Sequence, residues 1–81
     1  MAKKNLKVFK THGEFDTEVI RRARLILDAR GYRGKICVNA LSESSAWNKA
    51  DRNEDGHRLI DDDTIAEVAR SMVYDTLDYG E

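Results

Sequence analysis

Two apolar stripes with the spacing of an α-helix constrain the fold of this chain more than any other feature. In each stripe, apolar residues recur at i, i+3, i+4 and i+7, which places them on one side of a helix. The first stripe consists of Phe15, Val19, Ala23, Ile26 and Leu27, and the second of Ile65, Val68, Ala69, Met72, Val73 and Leu77. The spacing predicts helices over 16–30 and 64–78. Because each helix is apolar on one side only, both must pack against another layer.

The predicted helix ends follow from residues that suit them. Asp16 or Thr17 is predicted to cap the first helix, because a side-chain oxygen there accepts from a first-turn amide. Gly31 is predicted to end that helix, since glycine tolerates the left-handed conformation found just after a helix. Asp63 or Thr64 is the predicted cap of the last helix.

The remaining apolar segments are short and predict strands. We expect strands over 5–11 and 34–40, and a brief third strand over 57–60. A strand, a helix and a second strand in this order indicate a βαβ unit whose strands are parallel. A short helix over 43–50 and a loop over 51–56 complete the chain.

These elements predict a single α+β domain over 1–81, in the order β-α-β-(short α)-(β)-α. Its architecture is a small two-layer sandwich, with both long helices on one face of a sheet of two or three strands. The sheet residues expected to face the helices are Leu6, Val8, Ile36 and Val38. The expected open face carries Lys7, Phe9, Thr11, Lys35, Cys37 and Asn39. That face could join two copies as a homodimer, or its basic and aromatic residues could hold nucleic acid.

Charge is divided unevenly along the chain although the net charge is only −1. Residues 1–40 contain ten Lys and Arg and four Asp and Glu, which gives +6. Residues 41–81 contain four Lys and Arg and eleven Asp and Glu, which gives −7. Such asymmetry is typical of chains with a charged interaction surface, although the two halves can also neutralise each other on folding.

The acidic half provides the favoured candidate surface. Acidic residues in and beside the last helix continue to its C-terminal end, where they oppose the helix dipole. Tyrosines, which are frequent anchors at protein interfaces, lie at the edges of its apolar stripe. The predicted partner-binding residues are Asp62, Asp63, Glu67, Tyr74, Asp75, Asp78 and Tyr79.

One segment resembles a calcium-binding loop of the EF-hand type over about twelve residues. Asp51, Asn53 and Asp55 precede Gly56, and Asp62 stands where an acid would close the calcium shell. The register argues against it, because Arg58 occupies the position that is normally aliphatic. We therefore expect no metal site, and these four oxygen-bearing residues are the only metal candidates.

No phosphate loop, zinc spacing or nucleophile motif is present, so we expect no catalysis and no cofactor. The apolar runs are far shorter than the roughly 20 residues that cross a membrane. The first residues lack the apolar stretch of a secretory signal, and the single cysteine suits a reducing, cytoplasmic setting.

The sequence therefore favours a small non-enzymatic regulator or inhibitor that binds a protein. A protein that handles nucleic acid is a suitable partner, because it offers a basic groove to the acidic helix. Regulators of this size and charge are frequent among phage and mobile elements. The alternatives are a nucleic-acid-binding module using the basic N-terminal half, a protein with a single EF-hand-like calcium loop, and a small RNase with His12 and His57 as a general acid–base pair.

Overall fold

The computed structural model describes residues 6–37 and 40–79, with the backbone alone for 40–44 and Tyr79. Within these residues the fold is α+β, as the sequence predicts. The elements are β1 (Leu6–Phe9), α1 (His12–Ala29), α2 (Ala40–Lys49), β2 (Asp51–Arg52), β3 (Arg58–Asp61) and α3 (Asp62–Tyr79). The sheet is antiparallel with the strand order β1-β3-β2.

The core lies where the two stripes predict it. The residues of both stripes that are buried are Phe15, Val19, Ala23, Leu27, Ile65, Val68, Ala69, Met72 and Val73. Ile26 and Leu77 are partly buried against this cluster. From the sheet, Phe9 and Ile60 join the core, and the ring of Phe9 meets that of Phe15 edge to face at 5.4 Å. Trp47 of α2 packs on Phe15 with ring centres 5.9 Å apart.

Helix α1 begins four residues earlier than predicted, and its cap is Thr11 rather than Asp16 or Thr17. The Thr11 side chain accepts from the Glu14 amide at 3.2 Å, and Glu14 Oε1 accepts from the Lys10 amide at 2.8 Å. This pair of bonds satisfies the Glu14 amide, which the helix leaves free, and the Lys10 amide just before the cap. The spacing of Thr11 and Glu14 is that of a capping box, and it is the sequence signal that identifies the true start.

The end of α1 at Gly31 is confirmed. Gly31 has a φ of +80°, and its amide donates to Asp28 O at 3.0 Å while the Tyr32 amide donates to Leu27 O at 2.9 Å. These two bonds form a Schellman motif, which requires a residue that adopts the left-handed conformation easily.

The predicted strand over 34–40 is wrong for its described residues, and the parallel βαβ unit is therefore wrong as well. Residues 34–37 are irregular and residue 40 begins α2, whereas Val38 and Asn39 lie outside the described residues. Side chains satisfy this backbone in place of a neighbouring strand. Arg24 donates to Tyr32 O at 2.6 Å and to Gly34 O at 3.0 Å. Thr76 Oγ1 accepts from the Cys37 amide at 2.9 Å.

The third strand is confirmed over Arg58–Asp61, and the predicted loop contains β2, which pairs with it. No residue separates β3 from α3. Arg22 of α1 contacts the first residue of α3, and Cys37, after the end of α1, contacts Thr76 near the end of α3. Helices α1 and α3 therefore lie side by side in the same direction, offset so that the second half of α1 lies beside the start of α3.

The exposure of the β1 residues shows that the predicted assignment of the two sheet faces is wrong. Leu6 and Val8 are 55% and 52% exposed, whereas Phe9 is only 7% exposed. Lys7 lies opposite Ile60 in the register, so Phe9 and Ile60 share the face that packs on the helices. Strand alternation tells which residues share a face but not which face is inside. Phe9 is drawn inward by its contact with Phe15 at the start of α1.

Candidate functional site

The outer surface of α3 forms an exposed acidic ridge. Asp63, Glu67, Tyr74 and Asp78 are spaced by four, seven and four residues, which aligns them on the side of α3 opposite its buried stripe. All four are exposed, and Tyr74 reaches 59%. We call these four residues the acidic ridge.

The side chains of the acidic ridge form no hydrogen bond or ion pair with the described part of the chain. Elsewhere in this part, several acids are paired, such as Glu18 with Arg21 and Asp28 with Arg24. Surface acids that lack an intramolecular partner keep their charge available to a molecule approaching from outside.

A groove borders each side of the ridge. Toward α1, a mostly aliphatic groove of about 300 Å³ is lined by Arg22, Leu25, Ile26, Ala66, Ala69 and Arg70. Toward α2, a more polar groove of about 550 Å³ includes Ser45, Lys49, Glu67 and Ser71. A partner that contacts the ridge would therefore meet apolar surface on one side and polar surface on the other.

The remaining predicted partner-binding residues lie off the ridge. Asp62 Oδ1 accepts from Arg22 Nη2 at 2.5 Å, so this carboxylate joins α1 to α3. Asp75 is partly buried and already has an interaction within the chain. The side chain of Tyr79 lies outside the described residues. The structure thus brings four of the seven predicted residues together.

The dipole argument for the acids at the end of α3 is weaker than the sequence suggests. Because α1 and α3 run in the same direction, the negative ends of their dipoles point the same way. The exposed Arg30, Arg33 and Lys35 follow α1, and this basic segment reaches the later part of α3 through the contact of Cys37 with Thr76. The acidic ridge is therefore distinguished by the alignment of its exposed acids on one side of a helix rather than by opposition to the dipole.

Arg22 forms the centre of an ion-pair cluster that sequence reasoning found only in part. The i,i+4 pair with Glu18 is predictable, and the structure shows it at 2.8 Å. Hydrogen bonds from Arg21 and Arg22 outweigh partial burial and lower the pKa of Glu18 to about 2. Arg22 also lowers the pKa of Asp62. The link to Asp62 depends on tertiary packing across 40 residues, for which the sequence offers no spacing signal.

This cluster predicts a loss of stability in acid. A carboxyl whose folded-state pKa lies below its unfolded value stabilises the fold above that unfolded value. We therefore expect Glu18 to contribute at neutral pH, by about 1 kcal/mol at this partly exposed site, and to lose that contribution as the pH falls from about 4.5 to about 2. Urea unfolding at a series of pH values measures this.

The matched variants are Glu18→Gln and Glu67→Gln. Glu18→Gln should lower the free energy of unfolding at neutral pH and flatten its dependence on pH in the acid range. Glu67 has no pairing within the described residues, so Glu67→Gln should leave the profile unchanged. An identical profile for Glu18→Gln and the parent protein would contradict the prediction.

The calcium-loop candidates do not converge in the structure. Asp51 lies in β2, opposite Leu59, and Asn53 Oδ1 accepts from the amides of Asp55 and His57 at 3.0 and 2.9 Å. Asp62 is bound by Arg22 instead. Among the described residues, no group of three His, Cys, Asp or Glu could hold a metal ion. Residues 53–57 form the turn of a β-hairpin, with Gly56 at a φ of +79°.

The expected nucleic-acid platform on the sheet also lacks its aromatic residue. Phe9 is buried against Phe15, and Lys35 and Cys37 lie in the irregular segment rather than in the sheet. Base stacking needs an exposed ring, so the sheet as arranged does not provide such a surface.

Comparison with protein-family models, curated proteins and solved structures gives no significant match to this chain. None of the described helices is long and apolar enough to cross a membrane. A function must therefore be argued from the residues themselves.

Proposed function

We propose that this chain is a small protein-binding regulator or inhibitor without catalytic activity, and that it docks the acidic ridge onto a basic surface of a partner protein. The observation that supports the proposal is the alignment on one helix of an exposed tyrosine with three exposed acids that have no pairing among the described residues. The acids would steer the encounter, and Tyr74 would supply apolar contact together with a hydrogen-bonding hydroxyl.

The chemistry of the ridge also suggests the kind of partner. An array of carboxylates along a rigid helix complements a groove lined with Lys and Arg, such as a protein uses to hold the phosphates of nucleic acid. A regulator that fills this groove would compete with nucleic acid for it. This rests on charge complementarity, and it favours a nucleic-acid-handling protein as the partner.

Charge reversal on the ridge tests the proposal. Glu67→Lys with Asp78→Lys should weaken association with a partner captured from lysate, mainly through the association rate at low salt, by about tenfold or more. The matched control is Glu54→Lys with Asp55→Lys, which makes the same change in net charge at exposed residues of the β-hairpin turn. This control should retain the association rate of the parent.

Equal loss of binding in the two double variants would show that net charge matters rather than the ridge, and would overturn the proposal. Capture is repeated after nuclease treatment to distinguish protein from nucleic acid. Binding that disappears with nuclease, and that Arg30→Glu with Arg33→Glu also abolishes, would instead favour the nucleic-acid-binding alternative.

A further inference from the structure

The sheet face turned away from α1 and α3 carries an uncovered apolar patch. Leu6 and Val8 alternate on β1 and are 55% and 52% exposed. Leu59 lies directly opposite Val8 on β3 and is partly buried. These adjacent aliphatic side chains form one small contiguous patch rather than isolated exposed residues. We call this side of the sheet, with Asp51 and Asp61, the outer sheet face.

A groove continues the patch beyond the strands. Its volume is about 380 Å³, and its lining joins Leu6 and Leu59 to Ala46 and Ala50 near the end of α2. The surface available to a partner is therefore a shallow depression with apolar and charged lining, and the exposed Leu6 of β1 lies at one margin.

The charges around this face are of both signs. Lys49, Asp51 and Asp61 line the groove, and Lys10 is exposed just after β1. Charges of both signs thus border the apolar patch, whereas the acidic ridge on α3 carries three anions and no cation. A border of both signs complements a second copy of itself, because a twofold interface sets the same patch against itself.

We propose that the outer sheet face binds a second copy of this chain face to face. Pairing through the edge of β1 would be the other symmetric arrangement, but it would bring Lys7 and Lys10 close to the same residues of the second copy. Lysine on an edge strand opposes that pairing. The proposal is independent of the acidic ridge, which lies on α3.

The small area makes the dimer weak. Strand spacing of about 4.8 Å and a rise of about 3.3 Å per residue give this three-stranded face roughly 200 Å² in projection. A stable interface buries about 800 Å² on each partner, so the association should be detectable only at high protein concentration.

Sedimentation equilibrium tests the proposal on the full chain. The average mass of the parent should rise from that of the monomer toward twice that value between about 10 µM and about 1 mM. Leu6→Ser with Val8→Ser should remain monomeric over this range. Both side chains are exposed, so the variant is expected to keep the circular-dichroism spectrum of the parent.

Leu25→Ser provides the matched control, because Leu25 is 58% exposed but lies on α1 beside α3. It should associate as the parent does. Amide NMR shifts on dilution should change at residues 6–8 and 59 and stay constant along the acidic ridge. A parent that is monomeric at 1 mM, or a Leu25→Ser variant as monomeric as the β1 variant, would overturn the proposal.

Discussion

Ala23→Asp is expected to unfold the protein at room temperature. Ala23 is completely buried in α1, within the core shared by α1 and α3. Aspartate at this position would be larger than the space allows and would bury a carboxylate without a counterion. An uncompensated buried charge typically costs about 3–5 kcal/mol, a large part of the stability of so small a domain. Circular dichroism and a thermal melt measure the loss.

The control for this prediction is Leu25→Asp, two residues along the same helix. Leu25 is 58% exposed, so aspartate remains hydrated there and should change the free energy of unfolding by well under 1 kcal/mol. Val68→Asp should resemble Ala23→Asp, since Val68 is 6% exposed on the facing stripe of α3. A cooperative melt of Ala23→Asp close to that of the parent would contradict the packing of the stripes.

The helices could be predicted because a helix carries its own periodicity. Burial of the stripe residues, between Phe15 and Leu27 in α1 and between Ile65 and Val73 in α3, follows from their spacing alone, without knowledge of the partner layer. The end of α1 at Gly31 is local in the same way. The start was missed because Asp16 also suits a helix cap, whereas Thr11 and Glu14 satisfy amides on both sides of the true boundary.

The segment after α1 could not be predicted, because its backbone partners come from distant side chains. The apolar residues Ile36 and Cys37 suit a strand. Side chains from other elements nevertheless hydrogen-bond to the peptide groups of this segment. Arg24 of α1 donates to Tyr32 O and Gly34 O, and Thr76, which is 39 residues beyond Cys37, accepts from the Cys37 amide. The register of β1 on β3 and the ion pair of Arg22 with Asp62 depend equally on tertiary contacts.

The candidate site was predictable in part, because its residues also follow the periodicity of a helix. Helical spacing places Asp63, Glu67, Tyr74 and Asp78 on one surface without further information. Pairing within the fold decides which acids remain available. Asp62 is engaged by Arg22, a residue of the basic half, so some of the opposite charges of the two halves do neutralise each other. The acids of the ridge have no such pairing among the described residues, and they are also aligned along one helix.

The outer sheet face is a second feature that the local sequence pattern could not predict. Alternation along β1 groups Leu6 with Val8, and two aliphatic residues suit a core better than the pair of Lys7 and Phe9. The decisive fact is the position of Phe9 next to the start of α1, where its ring meets Phe15. Lys7 is exposed although it is on the same side of β1 as Phe9, so only one of these two residues had to be buried.

Phe9→Ala and Val8→Ala measure this choice of face directly. Phe9→Ala should lower the free energy of unfolding by about 3 kcal/mol, because the ring is 7% exposed and its removal leaves a cavity against Phe15. Val8→Ala should cost about 0.5 kcal/mol or less in dilute protein, since Val8 is 52% exposed. Urea unfolding at a few micromolar protein keeps self-association out of the comparison. A larger loss for Val8→Ala than for Phe9→Ala would mean that Leu6 and Val8 face the helices, and it would remove the apolar patch on which the proposed dimer depends.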